Sequence, residues 1–405
     1  MTTMDIHLLF TTRIVRLFCY GFLSVILALY LVETGLTESQ IGLLFTFTLI
    51  GDAGISLLLT TSADRVGRKK VLIVGAILMA AAGLGFVLTR NYILLIVFAT
   101  LGVISPADKD IGPFLSVEQS SLSQLVPDGM RTNYFAWYNL AGSFASAVGA
   151  LAGGWLAQWL LNIGRHPFEA YRTVLIGYAV GGLVLLVLFL NLSKSIEVSN
   201  NHDTGKRVLG LHRSRNVVFK LSSLFALDAF AGGLIVQSMF AYWFHARFGV
   251  DAGTLGSIFF GANILAGVSA LLAVRIAKKI GLINTMVFTH IPSNFLLIVL
   301  PFMPTLPLAI GLLMIRFSIS QMDVPTRQSY TMAVVDPDER SAAAGVTAIA
   351  RSVGAAVSPS LTGLFFSIPA LLSAPFILSG GLKIIYDLLL FREFRAVKPP
   401  EENDL

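Results

Sequence analysis

The sequence predicts an all-α membrane protein: twelve transmembrane helices in two pseudo-symmetric six-helix bundles. Three observations predict it. The 405 residues are 55% hydrophobic and only 13% charged. Average soluble domains carry about 25% charged residues, so lipid must be the solvent for much of this surface. Twelve stretches approach the ~20 apolar residues that a spanning helix needs. An internal repeat, about half the chain apart, relates the first six stretches to the last six.

The spans are read at 10–32, 39–60, 71–89, 92–125, 132–159, 173–192, 221–244, 252–274, 282–303, 306–334, 341–366 and 372–391. Connections are short except for a polar stretch containing SNNHDTGKRV. The expected organisation is therefore a first bundle at 1–192, a cytoplasmic linker at 193–220, a second bundle at 221–391 and a cytoplasmic tail at 392–405. Met1 to Phe10 lack the pattern of a cleaved signal peptide, so the first helix is expected to be retained. The single Cys19 provides neither an internal disulfide nor a metal cluster.

Lys and Arg in the loops set orientation. One side carries 18, among them Arg65, Arg68, Lys69, Lys70, Arg131, Arg275, Lys278, Lys279 and Arg340, with the linker and the tail. The other side carries four: Arg90, Arg165, Arg172 and Arg247. Both termini are therefore expected in the cytoplasm of a multi-pass protein of the cell (plasma or inner) membrane. The net charge of +6 is a topology signal, and no nucleic-acid partner is expected.

The repeat has two registers. Residues 126–154 match residues 335–363 at an offset of 209, pairing Arg131 with Arg340, Ser143 with Ser352 and Gly154 with Gly363. At an offset of 214, Gly35 pairs with Gly249, Thr37 with Asp251 and Gly67 with Gly281. Thr37 and Asp251 both suit a helix N-cap. The first half thus holds five extra residues between Gly67 and Val126, with 105–113 the obvious place. The stretch 92–125 would be ~51 Å long as one helix, beyond the ~30 Å hydrocarbon core. With Pro106, Gly112 and Pro113 it reads either as a broken span carrying Asp108, Lys109 and Asp110, or as a helix extended outside the membrane.

After the second span the chain reads TTSADRVGRKK from Thr60 to Lys70. Gly67 permits a tight turn. Asp64 can pair with a cation or a helix N-terminus, and Arg65, Arg68 and Lys69 either hold helix ends together or serve topology alone. This resembles the loop signature of the major facilitator superfamily, a glycine, three residues, then Asp-Arg-x-Gly-Arg, with Thr60 replacing the first glycine. Twelve spans, a 6+6 repeat and a central linker extend the resemblance over the whole chain. A fifth-span motif of proton antiporters, Gly-Pro-x-x-Gly-Gly, is degenerate here: Gly149, Ala150, Gly153 and Gly154 lack the proline, and close helix packing explains the glycines equally well.

Ionisable residues within membrane spans are default functional candidates. On the tenth span Arg316, Ser320, Asp323 and Arg327 fall on one face of a continuous helix, with Asp323 and Arg327 able to pair at i,i+4. The repeat sets Glu118-Gln119-Ser120 in the place of Arg327-Gln328-Ser329. Glu118 and Arg327 could form a gate, a solute site or a bridge between halves. By resemblance, spans one, four, seven and ten line the cavity. Asp52 and Asp228 either carry protons or are structural. Lys383 and Asp387 are expected to neutralise each other, Arg13 and Arg16 to snorkel, and His290 to be a hydrogen-bonded packing residue.

The reading is a secondary active transporter of a small solute by alternating access. The loop motif favours efflux, with protons as one coupling option that the degenerate fifth-span motif weakens, and with uptake by a symporter or facilitator as the alternative. No nucleotide-binding loop, catalytic group, cofactor or metal site is read, so an enzyme is not expected. A transporter-shaped receptor or scaffold is the other class. The expected partners are the solute, protons or another coupling ion, and the bilayer, with the chain a monomer.

Overall fold

The computed structural model describes residues 2–107, 113–127, 130–197, 213–336 and 339–395. Asp108, Lys109 and Asp110 lie outside the described residues, as do the side chains of Asp64 and Arg65. Among the described residues there are sixteen α-helices and no strand.

They make twelve spans because four spans are each built from two helices. In chain order, α1 (Thr2–Ser24) and α2 (Leu27–Glu33) form the first span, followed by α3 (Glu38–Val66) and α4 (Arg68–Leu88). α5 (Tyr92–Leu101) and α6 (Phe114–Leu125) form the fourth, then come α7 (Arg131–Asn162) and α8 (Pro167–Leu190). α9 (Arg215–Gly233) and α10 (Gln237–Phe248) form the seventh, then α11 (Ala252–Ile280) and α12 (Leu282–Val299). α13 (Leu306–Phe317) and α14 (Asp323–Ala333) form the tenth, before α15 (Arg340–Phe366) and α16 (Ala374–Phe394). Nine of these stretches are long and apolar enough to cross a membrane as they stand, and α5 and α13 are shorter apolar pieces of broken spans.

The fourth span is interrupted around Pro106 and Pro113 as a broken span: residues 102–107 are not helical and α6 begins at Phe114. The tenth is interrupted too, from Ser318 to Met322, which corrects the continuous face drawn from Arg316 to Arg327. Pro325 is not the breaker. It sits in the first turn of α14, where its missing N–H costs no helical hydrogen bond.

The repeat is visible in backbone conformation. Gly35 and Gly249 both have positive φ, at 90° and 66°, and so do Gly67 and Gly281, at 111° and 86°. Thr37 caps α3 in a capping box with Gln40, and the Asp251 carboxylate accepts the Thr254 N–H at 2.8 Å at the start of α11. Partial burial raises the Asp251 pKa, but the Thr254 N–H and hydroxyl outweigh it and hold the carboxyl below its usual value. The starts of α3, α4 and α5 lie 214 residues before those of α11, α12 and α13. The starts of α6 and α7 lie 209 before those of α14 and α15. The five extra residues therefore lie in the fourth span, between the starts of α5 and α6.

The chain forms two compact units. One comprises Met1–His202 and Val236–Gly261, the other Asp203–Ile235 and Ala262–Leu405. In the first, α1 packs along α7 and α4 along α8; in the second, α9 packs along α15 and α12 along α16. The α1–α7 contact explains the degenerate glycine motif. A Cβ on Gly149 or Gly153 would lie 2.1 Å from the carbonyl oxygen of Phe18 or Phe22. Only glycine lets these backbones approach so closely.

Candidate functional site

Each unit holds a buried cluster of charged side chains at the same place in the repeat. In the first unit, Glu118 sits on α6 and is fully buried. Arg16 of α1, also fully buried, places Nη2 2.8 Å from Glu118 Oε2. Thr12 donates its hydroxyl to Oε1 at 2.8 Å, and the Tyr138 hydroxyl of α7 donates to Oε2. Arg13 donates from Nε to the Tyr138 carbonyl at 3.0 Å, and its guanidinium lies 4.4 Å from the Tyr138 ring centroid. The expectation that Arg13 and Arg16 snorkel is corrected: both are buried, at 6% and 0% exposure. The reasons lie on other helices, outside a local reading of the first span: Arg16 meets its counter-ion Glu118, and Arg13 donates to the Tyr138 carbonyl and the Asn139 side chain of α7. Beside this cluster a hollow of about 420 Å³ is lined by residues including His7, Phe10, Tyr134 and Trp137, and Phe10 meets the Tyr138 ring edge-on at 5.5 Å.

In the second unit the hub is Asp228 on α9, 3% exposed. It holds three cations: Lys383 of α16 at 2.7 Å, Arg327 of α14 at 2.8 Å and Arg351 of α15 at 3.0 Å. Arg327 also pairs with Asp323 at 3.1 Å, as its i,i+4 spacing predicts. Two carboxylates thus hold three cations. Lys383 and Asp387 do not pair with each other as expected. Asp387 instead accepts from Asn294 at 3.1 Å and lies 2.8 Å from His290 Nδ1, both on α12. An i,i+4 pair on a helix is worth only ~0.2–0.5 kcal/mol. Buried partners on neighbouring helices outweigh it.

The repeat-related Glu118 and Arg327 therefore find counter-ions within their own units. In each case the partner is on the first helix of that half, and the signs are exchanged: Glu118 with Arg16, Arg327 with Asp228. Gln119 is partly buried and Gln328 exposed, and neither belongs to these pairs. Asp52 on α3 accepts the Ser56 hydroxyl at 3.1 Å. Arg16, Tyr138, Lys383 and Asp387 are the members whose partners spacing alone missed. A cation on one span and an anion at repeat-equivalent depth on another was the available signal.

The loop after α3 forms a third polar site. Gly67 turns the chain so that the N-terminus of α4 meets Glu197, which accepts the Arg68 N–H at 2.7 Å and the Lys69 N–H at 3.2 Å. A carboxylate at a helix N-terminus is favourable to both hydrogen bonding and the helix dipole. The Arg68 guanidinium donates to Gln124 at 2.9 Å at the end of α6 and to the Ile196 carbonyl at 3.2 Å. Lys69 Nζ donates to the carbonyls of Leu190 and Leu192 at 2.8 and 2.7 Å. The ends of three spans are clasped together. Arg68→Ala is expected to leave membrane insertion intact and to slow turnover several-fold, measured as flux per inserted protein. Lost solute binding with normal turnover would contradict this.

Among the described residues no group of His, Cys, Asp and Glu is placed to hold a metal ion. The sites are buried ion clusters on broken helices, an arrangement suited to switching between paired states.

The family model described as Major Facilitator Superfamily matches residues 9–359. An uncharacterized membrane protein of Saccharomyces cerevisiae is 30% identical over 424 residues, covering 97% of this chain and 94% of the relative. Multidrug resistance protein 2 of Bacillus subtilis is 22% identical over 326 residues, covering 80% of this chain and 78% of the relative. The fold is similar to the crystal structure of the nucleoside transporter NupG, with a TM-score of 0.75 at 14% identity, covering 96% of this chain and 99% of that one. Twelve spans, a six-plus-six repeat and the Gly67 loop thus have one explanation: the chain belongs to the Major Facilitator Superfamily and is a multi-pass membrane solute transporter.

Proposed function

We propose that the chain is a secondary active transporter that exports a small solute by alternating access, in exchange for protons. The observation that carries this reading is the buried ion cluster in each unit, tied to an interrupted span. Charges at membrane depth are costly and are kept where they move solute or ions. Glu118 and Asp228 are the coupling candidates: protonating Glu118 would release Arg16, protonating Asp228 would release Lys383 and Arg351, and a released cation can then bias one conformational state over another. Export is supported by the loop motif and by the relation to a multidrug resistance protein.

The loop charges support cytoplasmic termini. A reporter active only in the cytoplasm, fused after Leu405, is expected to be active, and one active only outside is expected to be silent. The opposite pattern would overturn the orientation. Transport is tested with the purified chain in liposomes under an imposed pH gradient. Solute movement against the proton gradient supports exchange. Movement with protons supports uptake by symport, movement indifferent to pH supports a facilitator, and absence of flux for any solute that binds supports a receptor or scaffold.

A further inference from the structure

The second unit contains a cation that the ion cluster does not use. Arg316 ends α13. It shares a helix face with buried Ala309 and Leu313, whereas Leu308 and Ile315 on the other side are exposed. Its Nε is buried without a hydrogen-bond partner. Among the described residues, the contact made by its guanidinium is with the ring of the adjacent Phe317, 5.1 Å from the centroid. By contrast Arg16, Arg327, Arg351 and Lys383 each have a carboxylate at 2.7 to 3.0 Å.

A second orphan lies four residues on, in the interruption itself. Ser320 is 6% exposed, and its hydroxyl is buried with no partner. The helix is broken between Ser318 and Met322, so both groups sit at an interruption of the tenth span. Interrupted spans are where transporters of several folds place their solute sites. A cation with no carboxylate beside it is costly inside a membrane protein, and so are a buried guanidinium N–H and a buried hydroxyl left unbonded. Two such groups at one interruption indicate that an oxyanion satisfies them in part of the working cycle. A guanidinium presents paired N–H donors that match the two oxygens of a carboxylate or phosphate, and a serine hydroxyl adds a third donor.

We propose that Arg316 and Ser320 bind the anionic group, carboxylate or phosphate, of the transported solute, making this chain a transporter of small organic anions. The proposal rests on the transporter reading, and its test separates the two. The purified full-length chain is melted in detergent with benzoate, succinate and citrate in one arm and glycerol phosphate in the other. Benzamide, succinamide and glycerol serve as uncharged counterparts and choline as a cation. At least one anion is expected to raise the melting midpoint while its uncharged counterpart does not, and the responding arm identifies the oxyanion. Arg316→Gln should lose that shift. Arg316→Lys, which keeps the charge without the fork, should retain part of it, and Ser320→Ala should weaken it.

Without ligand, Arg316→Gln should melt at or above the wild-type midpoint, because the charge has no partner to lose. Failure of this variant to fold would overturn the proposal by revealing a structural partner. A full anion shift in Arg316→Gln, or no shift from any anion, would also overturn it. Flux of an uncharged or cationic solute that survives Arg316→Gln would overturn the anion assignment and leave the transporter reading standing. Anion binding that depends on Arg316 with no flux of that anion in liposomes would keep the site and overturn the transporter reading.

Discussion

Asp228→Asn is expected to remove most folded protein from the membrane. Asp228 neutralises Lys383, Arg327 and Arg351, which arrive from three different helices at 2.7 to 3.0 Å. After the substitution only Asp323 remains of the two carboxylates, and it reaches Arg327 alone. Stranding one partner of a buried pair costs about 3–5 kcal/mol, and this change strands two cations outright. Native domains have only about 5–15 kcal/mol in total. Lys383 is the least exposed of the two that lose their sole carboxylate, so Lys383→Gln in the Asp228→Asn background should restore part of the loss. Fluorescence size-exclusion after solubilisation, with thermal melts of the surviving fraction, measures this. A single variant that melts like the wild type would show that the hub contributes nothing to folding.

The second large effect is expected at Glu118. Glu118→Gln removes the carboxylate that pairs with Arg16 at 2.8 Å and accepts from Thr12 and Tyr138, all fully buried. Folded protein or flux should fall sharply, by about 3–5 kcal/mol if the cost appears wholly as stability. The double variant with Arg16→Gln should be milder than the sum of the singles, since no buried charge is left without a partner. Combining Glu118→Gln with Arg327→Gln should instead be additive, because the two residues share no described partner. Coupling between Glu118 and Arg327, with additivity between Glu118 and Arg16, would restore the bridge between halves that their repeat positions suggested.

The charges show where sequence reasoning stopped. Asp323 and Arg327 were paired correctly because an i,i+4 contact is local and follows from helical geometry. Lys383 and Asp387 have the same spacing and do not pair, because each meets a better partner on another helix. Arg13 and Arg16 lie near the start of a span, where snorkelling is the usual solution for a long cation. The burial of Arg16 depends on Glu118 and that of Arg13 on Tyr138 and Asn139, all more than a hundred residues away in the chain. The break in the tenth span was also not legible, because Pro325, its one obvious breaker, falls harmlessly within the first turn of the next helix.

The twelve spans, the six-plus-six repeat, the caps at Thr37 and Asp251 and the turn at Gly67 were all readable from the sequence. These follow from apolar length, small-residue register and backbone conformation, which are all short-range properties. The fold, through contacts between distant segments, decided that Asp228 gathers three cations, that Glu118 answers Arg16, that Glu197 clasps the Gly67 loop, and that Arg316 Nε and the Ser320 hydroxyl are buried without a hydrogen-bond partner. The physical reason is that an ion in low dielectric takes the best counter-ion that packing brings within about 3 Å, whatever its distance along the chain.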